Sequence, residues 1–273
     1  MLDADLQAQL RERFNPEGSE LRMQQRRMLD ILLHIDGVCS KHGIKYWLSS
    51  GTLLGAVRHG GFIPWDDDLD IEMLREDYDR FIEVFEDSDE FVLQTRKTDR
   101  YYMLPFAKVR DRYSLLDEMG NNLNYKHKGL FVDIFCLEES PRFAYVGYGV
   151  AMHLMLKLCR GRSGGFARAM TTLNKQLFYG SVYLLRPLLR MLSHKRLNHL
   201  YGCGPRWRWR HIESIMPLSS VEFEGHTLPA PHDTDAYLRQ MFGDYKALPD
   251  LSKLKIHNAH CTFLGRSLES NNL

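Results

Sequence analysis

The sequence predicts an α/β (α+β) fold, a small mixed sheet flanked by helices with a basic helical insert, and three observations carry that prediction. Met28, Ile31, Leu32, Ile35 and Val38 recur at helical spacing and run into His42-Gly43, a helix stop ahead of the strand-like Ile44 to Ser49. Asp68 to Met73 alternates, with Leu69, Ile71 and Met73 on one face and Asp68, Asp70 and Glu72 on the other, which is the period of a β-strand. Gly129 to Phe135 alternates in the same way, and Asp133 stands where the pattern asks for an aromatic.

The remaining elements follow in chain order. Thr52 to Arg58 reads as a short helix packed through Leu53, Leu54 and Val57, closed by the turn-forming His59-Gly60-Gly61. Arg75 to Phe85 reads as a helix through Tyr78, Phe81, Ile82 and Phe85, and Phe91 to Gln94 and Met103 to Val109 read as strands. Breaks near Ser140-Pro141 and Gly202 to Pro205 divide the chain. The expected units are a core over 20–140, an insert over 141–212, a continuation of the core over 213–250 and a tail over 251–273.

Composition bounds the class. With 273 residues, 44% of them apolar, the chain can bury a sizeable core. Its five cysteines are odd in number, widely spread and without ligand spacing, which argues for free thiols in a reducing compartment over a disulfide scaffold or structural zinc. Met1 to Asp5 has neither a basic nor an apolar leader pattern, so a cytoplasmic location is expected.

The net charge of +1 hides an asymmetry: Arg142 to Ile212 holds 13 Lys/Arg and no Asp or Glu, leaving 23 basic against 35 acidic residues elsewhere. Ala144 to Leu158 and Leu177 to Leu192 are apolar-rich but interrupted by Lys157, Arg186, Pro187 and Arg190, too broken for a spanning helix. Apolar helices flanked by cations fit a peripheral seat on an anionic membrane surface, and an ordinary basic helical subdomain fits as well. Arg206-Trp207-Arg208-Trp209-Arg210 alternates cation and aromatic, but the acidic body argues against a nucleic-acid partner.

The acidic run Asp66-Asp67-Asp68-Leu69-Asp70 carries the chemistry, with four carboxylates in five residues. Such groups repel one another unless a proton or a cation neutralises them. Strand parity aims Asp68 and Asp70 the same way, and Asp133 from another strand completes a three-carboxylate set suited to divalent metal and phosphoryl transfer. Gly51-Thr52 upstream can present helix N-terminal N–H groups to a phosphate. A calcium loop fails on Ile71 at its sixth position and Asp77 at its twelfth. An Asp-x-Asp glycosyltransferase needs the same ligands and stays open. His257 and His260 lack a third ligand and are expected at the surface.

The stretch Ser49-Ser50-Gly51-Thr52-Leu53-Leu54-Gly55-Ala56-Val57-Arg58-His59-Gly60-Gly61-Phe62-Ile63-Pro64-Trp65-Asp66-Asp67-Asp68-Leu69-Asp70 resembles the signature of the LicD family of phosphocholine transferases, relatives of the fukutin-type phospho-alditol transferases. Lys108 to Asp111, Gly129 to Phe135, Val221 to Gly225, Tyr237-Leu238 and Phe242 to Lys246 are similar to the later family blocks in the same order. Cys136 departs from the proline common after the Asp133 strand, and the insert has little recognisable sequence.

The resemblance implies a nucleotidyltransferase-like core that uses Mg²⁺ (or Mn²⁺) to move a phospho-substituent from a nucleotide donor, CDP-choline in the LicD members, to a hydroxyl of a glycan or glycolipid. Carried over by position, Asp68, Asp70 and Asp133 are the catalytic and metal residues, Asp66 supports the metal from behind, and Gly51 and Thr52 lie near the donor phosphates. Lys108, Arg110 and Lys128 are candidate phosphate clamps, and Arg58 and His59 would close over the donor. A choline headgroup needs aromatic walls, for which Trp47, Trp65, Tyr101 and Tyr102 are nearest. A catalytically silent adaptor whose working part is the basic insert remains the non-enzymatic alternative.

Overall fold

A computed structural model describes residues 2–117, 125–159, 165–199, 209–252, 254 and 260–264. Helix α1 (Ala4–Phe14) starts where the Asp3 carboxylate accepts from the N–H groups of Asp5 and Leu6. Helix α2 (Glu20–His42) starts at Ser19, whose Oγ accepts from Arg22 N at 3.2 Å, and stops at Gly43, left-handed at φ +63°. Ile44 N closes that stop on the Cys39 carbonyl at 2.9 Å. The strand expected over Ile44 to Ser49 therefore contracts to β1 (Trp47–Leu48).

Helix α3 (Ser50–His59) extends the expected Thr52 to Arg58 by a residue or two at each end. Strand β2 (Asp70–Leu74) starts two residues later than expected, so Asp68 precedes it and is exposed. After it come α4 (Arg75–Val84), β3 (Phe91–Gln94), β4 (Ala107–Asp111) and β5 (Ser114–Leu116). The strand expected from Met103 begins only at Ala107, beyond Pro105, which has no N–H for a ladder.

Strand β6 (Phe131–Glu139) outruns its expected end at Phe135, because β7 (Leu197–His199) pairs with Leu137 to Glu139. Between them lie the two helices of the insert, α5 (Arg142–Cys159) and α6 (Gly165–Met191). The chain ends with α7 (Ile212–Ile215), the hairpin β8 (Ser219–Phe223) and β9 (His226–Ala230), α8 (Thr234–Phe242) and β10 (Cys261–Phe263). The last of these, in the segment expected to be a tail, pairs with β5.

The main sheet runs β1-β2-β6-β4-β3, with β7 added on β6, and only the β2–β6 pair among these is parallel. Register sorts its two faces. Ile71 pairs with Ile134, Met73 with Cys136, Ala107 with Ile134 and Val109 with Val132, and this apolar face joins Met28, Ile31, Leu32, Ile35 and Phe81 of α2 and α4 in one core. The opposite face carries Asp70 beside Asp133, Lys108 beside Asp133, Gln94 beside Lys108, and Trp47 beside Glu72. A buried face so rich in charge is costly unless its groups are paired or bind something.

The insert packs on the body through Ala144, Met152, Met155, Phe178, Tyr179, Val182 and Leu189, all part of the same core. Cys39, Cys136 and Cys261 are buried free thiols; Cys203 and the Cys159 side chain lie outside the described residues. Among the described residues, no helix is long and apolar enough to cross a membrane.

Candidate active site

Asp70 opens β2, and its N–H donates to Thr52 Oγ1 at 2.8 Å, which ties the first turn of α3 to the sheet. Asp133 is its neighbour across the parallel pair, because both strands begin their alternation in phase. Lys108, beside Asp133 on β4, brings Nζ to 2.7 Å from Asp133 Oδ1 and lies 3.1 Å from the Phe131 ring centroid. Asp66 reaches the same place from the loop, held by Gln25 Nε2 donating to its carbonyl at 2.9 Å. Its carboxylate lies against Gly51, where an added Cβ would fall 2.8 Å from Oδ2 and push the carboxylate aside.

The electrostatics are those of crowded acids. Burial pushes the Asp70 carboxyl well above its ordinary range, and Asp68, Asp133 and Asp66 push it further, with Lys108 partly opposing. Burial likewise raises Asp133, against Lys108 and Arg110 and with Asp68. Burial, then Asp68 and Asp67, raises Asp66. The four acids thus act on one another as a single site.

Orphaned polar groups line the same region. Ser50, at φ +49°, takes a conformation unfavourable for a side-chain-bearing residue. The Ser49 and Ser50 hydroxyls are buried without a hydrogen-bond partner among the described residues, as is that of Tyr102. Burial raises the Tyr102 phenol, and the charge of Asp133 raises it further while Arg110 opposes. The site therefore gathers acids, helix N–H groups and unsatisfied hydroxyls, the equipment for a polyanion accompanied by cations. Among the described residues, no three His, Cys, Asp or Glu side chains converge into a ready-made metal cage; Lys108 Nζ is the cation against Asp133.

Other expected residues do different work. Arg58 is buried and directs Nη1 to the carbonyls of Tyr245 at 3.1 Å and Ala247 at 3.2 Å, with Nε on His59 Nε2 at 2.9 Å; it pins the segment after α8, although burial lowers its guanidinium pKa and the charge of Asp66 opposes that. Arg110 is buried, donating to Gln94 Oε1 at 2.5 Å and to the Gly129 carbonyl at 2.7 Å, so it shapes the wall behind Asp133. Lys128 is exposed, and its carbonyl accepts from Leu116 N.

The two tryptophans are committed elsewhere. Trp47 is fully buried and donates Nε1 to Glu72 at 2.9 Å, and Trp65 packs edge-on against Phe14 and His59. His260 is an exposed histidine 3.0 Å from Glu20, and His257 lies outside the described residues. Of the Arg206 to Arg210 run, the first three residues lie outside them too; Arg210 is buried.

Sequence reasoning missed the role of Glu72. Buried on the polar face of β2, it meets Arg210 Nη2 at 3.0 Å, His199 Nε2 at 2.5 Å, Trp47 Nε1 and the Tyr237 hydroxyl at 2.8 Å. Its parity with Asp70 was the available signal. The Glu224 carboxylate, unremarked within its block, accepts from Arg22 Nη2 at 2.7 Å and from Phe62 N at 3.0 Å, locking the β8–β9 hairpin over the turn after α3.

The family described as LicD/FKTN/FKRP, nucleotidyltransferase domain, matches residues 43–146, the stretch that contains every acid of the site. The lipopolysaccharide cholinephosphotransferase LicD of Haemophilus influenzae is 30% identical over 262 residues, covering 87% of this chain and 96% of that protein. Human ribitol 5-phosphate transferase FKRP is 50% identical over 44 residues, 16% of this chain and 9% of that protein. Full-length similarity of this kind favours a phosphotransferase over the Asp-x-Asp glycosyltransferase and the silent adaptor. The chain belongs to the LicD family, with a fukutin-type relationship, and is a transferase of substituted phosphate groups.

Proposed function

We propose that the chain moves phosphocholine, or a similar phospho-substituent, from a CDP-activated donor to a hydroxyl of a cell-surface glycan or glycolipid precursor, at the cytoplasmic side of a membrane. The observation that carries this reading is the registered pair Asp70 and Asp133, crowded by Asp66 and Asp68 at the N-terminus of α3. The similarity to a lipopolysaccharide cholinephosphotransferase supports the choice of phosphocholine, and residues 20–140 with 213–250 form the catalytic unit in this reading.

Mg²⁺ or Mn²⁺ suits the chemistry of these donors, since carboxylate oxygens are what a hard cation takes and their mutual repulsion is what it relieves, although the described side chains would have to turn toward one point to hold it. Asp68, Asp70 and Asp133 would hold it, with Asp66 behind them, and its chemistry there is to neutralise charge on the phosphate oxygens. The N–H groups of Gly51 and Thr52 open α3 and have no acceptor within the helix, so they suit a donor phosphate. Lys108, whose Nζ meets Asp133 at 2.7 Å, would balance charge as the bridging oxygen leaves on CMP.

In the step itself, the acceptor oxygen forms a bond to the phosphorus bearing the choline, and the bond from that phosphorus to the CMP oxygen breaks. Asp133 takes the proton from the acceptor hydroxyl. CMP release from CDP-choline, followed by chromatography with and without Mg²⁺, tests the reading. Metal-dependent release coupled to a phosphate-linked choline on the acceptor is the expected result. Turnover without metal, or a product lacking the phosphate, would refute it.

A further inference from the structure

Both insert helices are apolar on two faces, and only one face of each is used. The inward faces join the core. On α6 the outward face repeats as Phe166, Met170, Leu173 and Leu177, then resumes after Gly180 with Leu184, Leu188 and Met191, a spacing of threes and fours that makes one stripe. Phe166 and Met191, at its two ends, are each 82% exposed. Helix α5 repeats the arrangement with Phe143, Val150, Leu154 and Leu158. Of the 17 exposed large apolar side chains among the described residues, 14 lie between Phe143 and Leu192. A patch so concentrated marks a contact surface.

Charge decides the occupant. The segment from Arg142 to Ile212 carries no acid and 13 cations, of which Arg210 is buried against Glu72 and Arg186 pairs with Glu138. Arg142 at the start of α5, and Lys195 and Arg196 just past α6, are exposed beside the ends of the stripes. A second copy docking face to face would oppose cations to cations. Docking on the acidic body would find no apolar match there, since only Leu115, Phe242 and Leu264 are exposed outside the insert among the described residues. We infer that the α5–α6 pair is a foot that seats in the interface of an anionic phospholipid bilayer, apolar stripes toward the acyl chains and Lys/Arg at the headgroups. The helices lie on the bilayer and do not cross it.

The foot is joined to the site. Lys175 Nζ donates to the Arg100 carbonyl at 2.9 Å, the Tyr179 hydroxyl donates to the Met103 carbonyl at 2.5 Å, and the Arg96 guanidinium lies 3.3 Å over the Tyr179 ring. These bonds grip the segment from Arg96 to Met103, which leads into β4 and Lys108, the partner of Asp133. Seating the foot therefore holds the acid site close to the membrane plane, and, if the transferase reading holds, within reach of an acceptor whose glycan is carried on lipid.

Cosedimentation of the full chain with vesicles tests the foot without any turnover. Binding to phosphatidylcholine vesicles containing phosphatidylglycerol is expected to exceed binding to phosphatidylcholine alone by about tenfold or more, given the contribution of each cation near an anionic surface. It is expected to weaken as salt is raised. Leu184→Glu with Leu188→Glu should abolish it while leaving the thermal melt and donor-induced stabilisation unchanged. No preference for anionic vesicles would overturn the inference. So would a chain whose mass doubles with concentration and returns to monomer in the double variant, which would assign the stripes to a second copy. Loss of donor turnover with vesicle binding intact would count against the transferase reading alone.

Discussion

Asp70 and Glu72 sit two residues apart on one face of one strand, both buried, and their surroundings differ in kind. Burial would raise Glu72, but Arg210 and His199, with donors from Trp47 and Tyr237, hold its carboxyl down at about 2. Around Asp70 burial and further carboxylates push its carboxyl well up, with Lys108 only partly opposing. One acid has every partner built into the chain, as a structural charge must. The other is crowded by groups it repels, beside hydroxyls without a partner, as expected where the missing partner is a ligand.

The sharpest way to break this comparison is to remove the charge that Glu72 depends on. Arg210→Met leaves a buried carboxylate without its strongest partner, and such losses cost about 3–5 kcal/mol. Urea unfolding should show that loss. Adding Glu72→Gln should recover much of it, since the pair is coupled. A drop in the single variant no larger than at an ordinary surface site would show the network to be incidental.

Asp70→Asn does the opposite kind of damage. It removes one of four mutually repelling acids and keeps the shape, so metal-free stability should hold or rise. Transfer should fall by about 10²–10⁴-fold, the scale of losing a positioned catalytic group. A variant that unfolds, or one that retains turnover, would place Asp70 with Glu72 among the structural acids.

Between the two regions the sequence was unevenly legible. The pairing of Asp70 with Asp133 could be anticipated because period-two alternation exposes a charge on a strand face, and both strands show it. For Glu72 the same alternation shows only that it shares the face of Asp70; its partners His199 and Tyr237 arrive from 127 and 165 residues away, and no local pattern announces them. For the same reason Trp47 passed for a ligand-facing aromatic, although its indole N–H is committed to Glu72. Arg58 looked like a donor clamp, but its guanidinium satisfies two carbonyls after α8 that no spacing rule connects to it. The extension of β6 was hidden likewise, since its partner β7 lies across the whole insert.

A smaller effect probes the lock over α3. A Cβ at position 61 would fall 2.1 Å from Glu224 Oε1 and 2.7 Å from its Cδ. That carboxylate is fixed by Arg22 and by the N–H of Phe62, so it cannot simply swing away. Gly61→Ala is expected to cost about 1–3 kcal/mol, typical of forced overpacking. An unchanged unfolding midpoint would mean the hairpin can lift without penalty.

The smallest expected effect is a pH slope from His59, the last residue of α3. Its Nε2 accepts from Arg58 Nε at 2.9 Å while Nδ1 pairs with Gln7 Oε1 at 2.6 Å, a pattern that only the neutral ring with its proton on Nδ1 satisfies. Burial, then Arg58 and Arg11, depress the imidazole to about 3. Between that value and the ordinary histidine value of about 6.5, the unfolded chain binds a proton that the folded chain refuses. Stability from this group is therefore complete above about pH 6.5 and declines as pH falls, by up to about 1.4 kcal/mol per unit. The raised carboxyls of Asp66 and Asp70 act with the opposite sign, so the useful quantity is the difference between wild type and His59→Gln. That difference should narrow as pH drops from 7 toward about 5, because only the wild type loses this contribution. Parallel curves would show that the ring takes up its proton in the folded chain as easily as in the unfolded one, and that Arg58 has another way to satisfy its Nε.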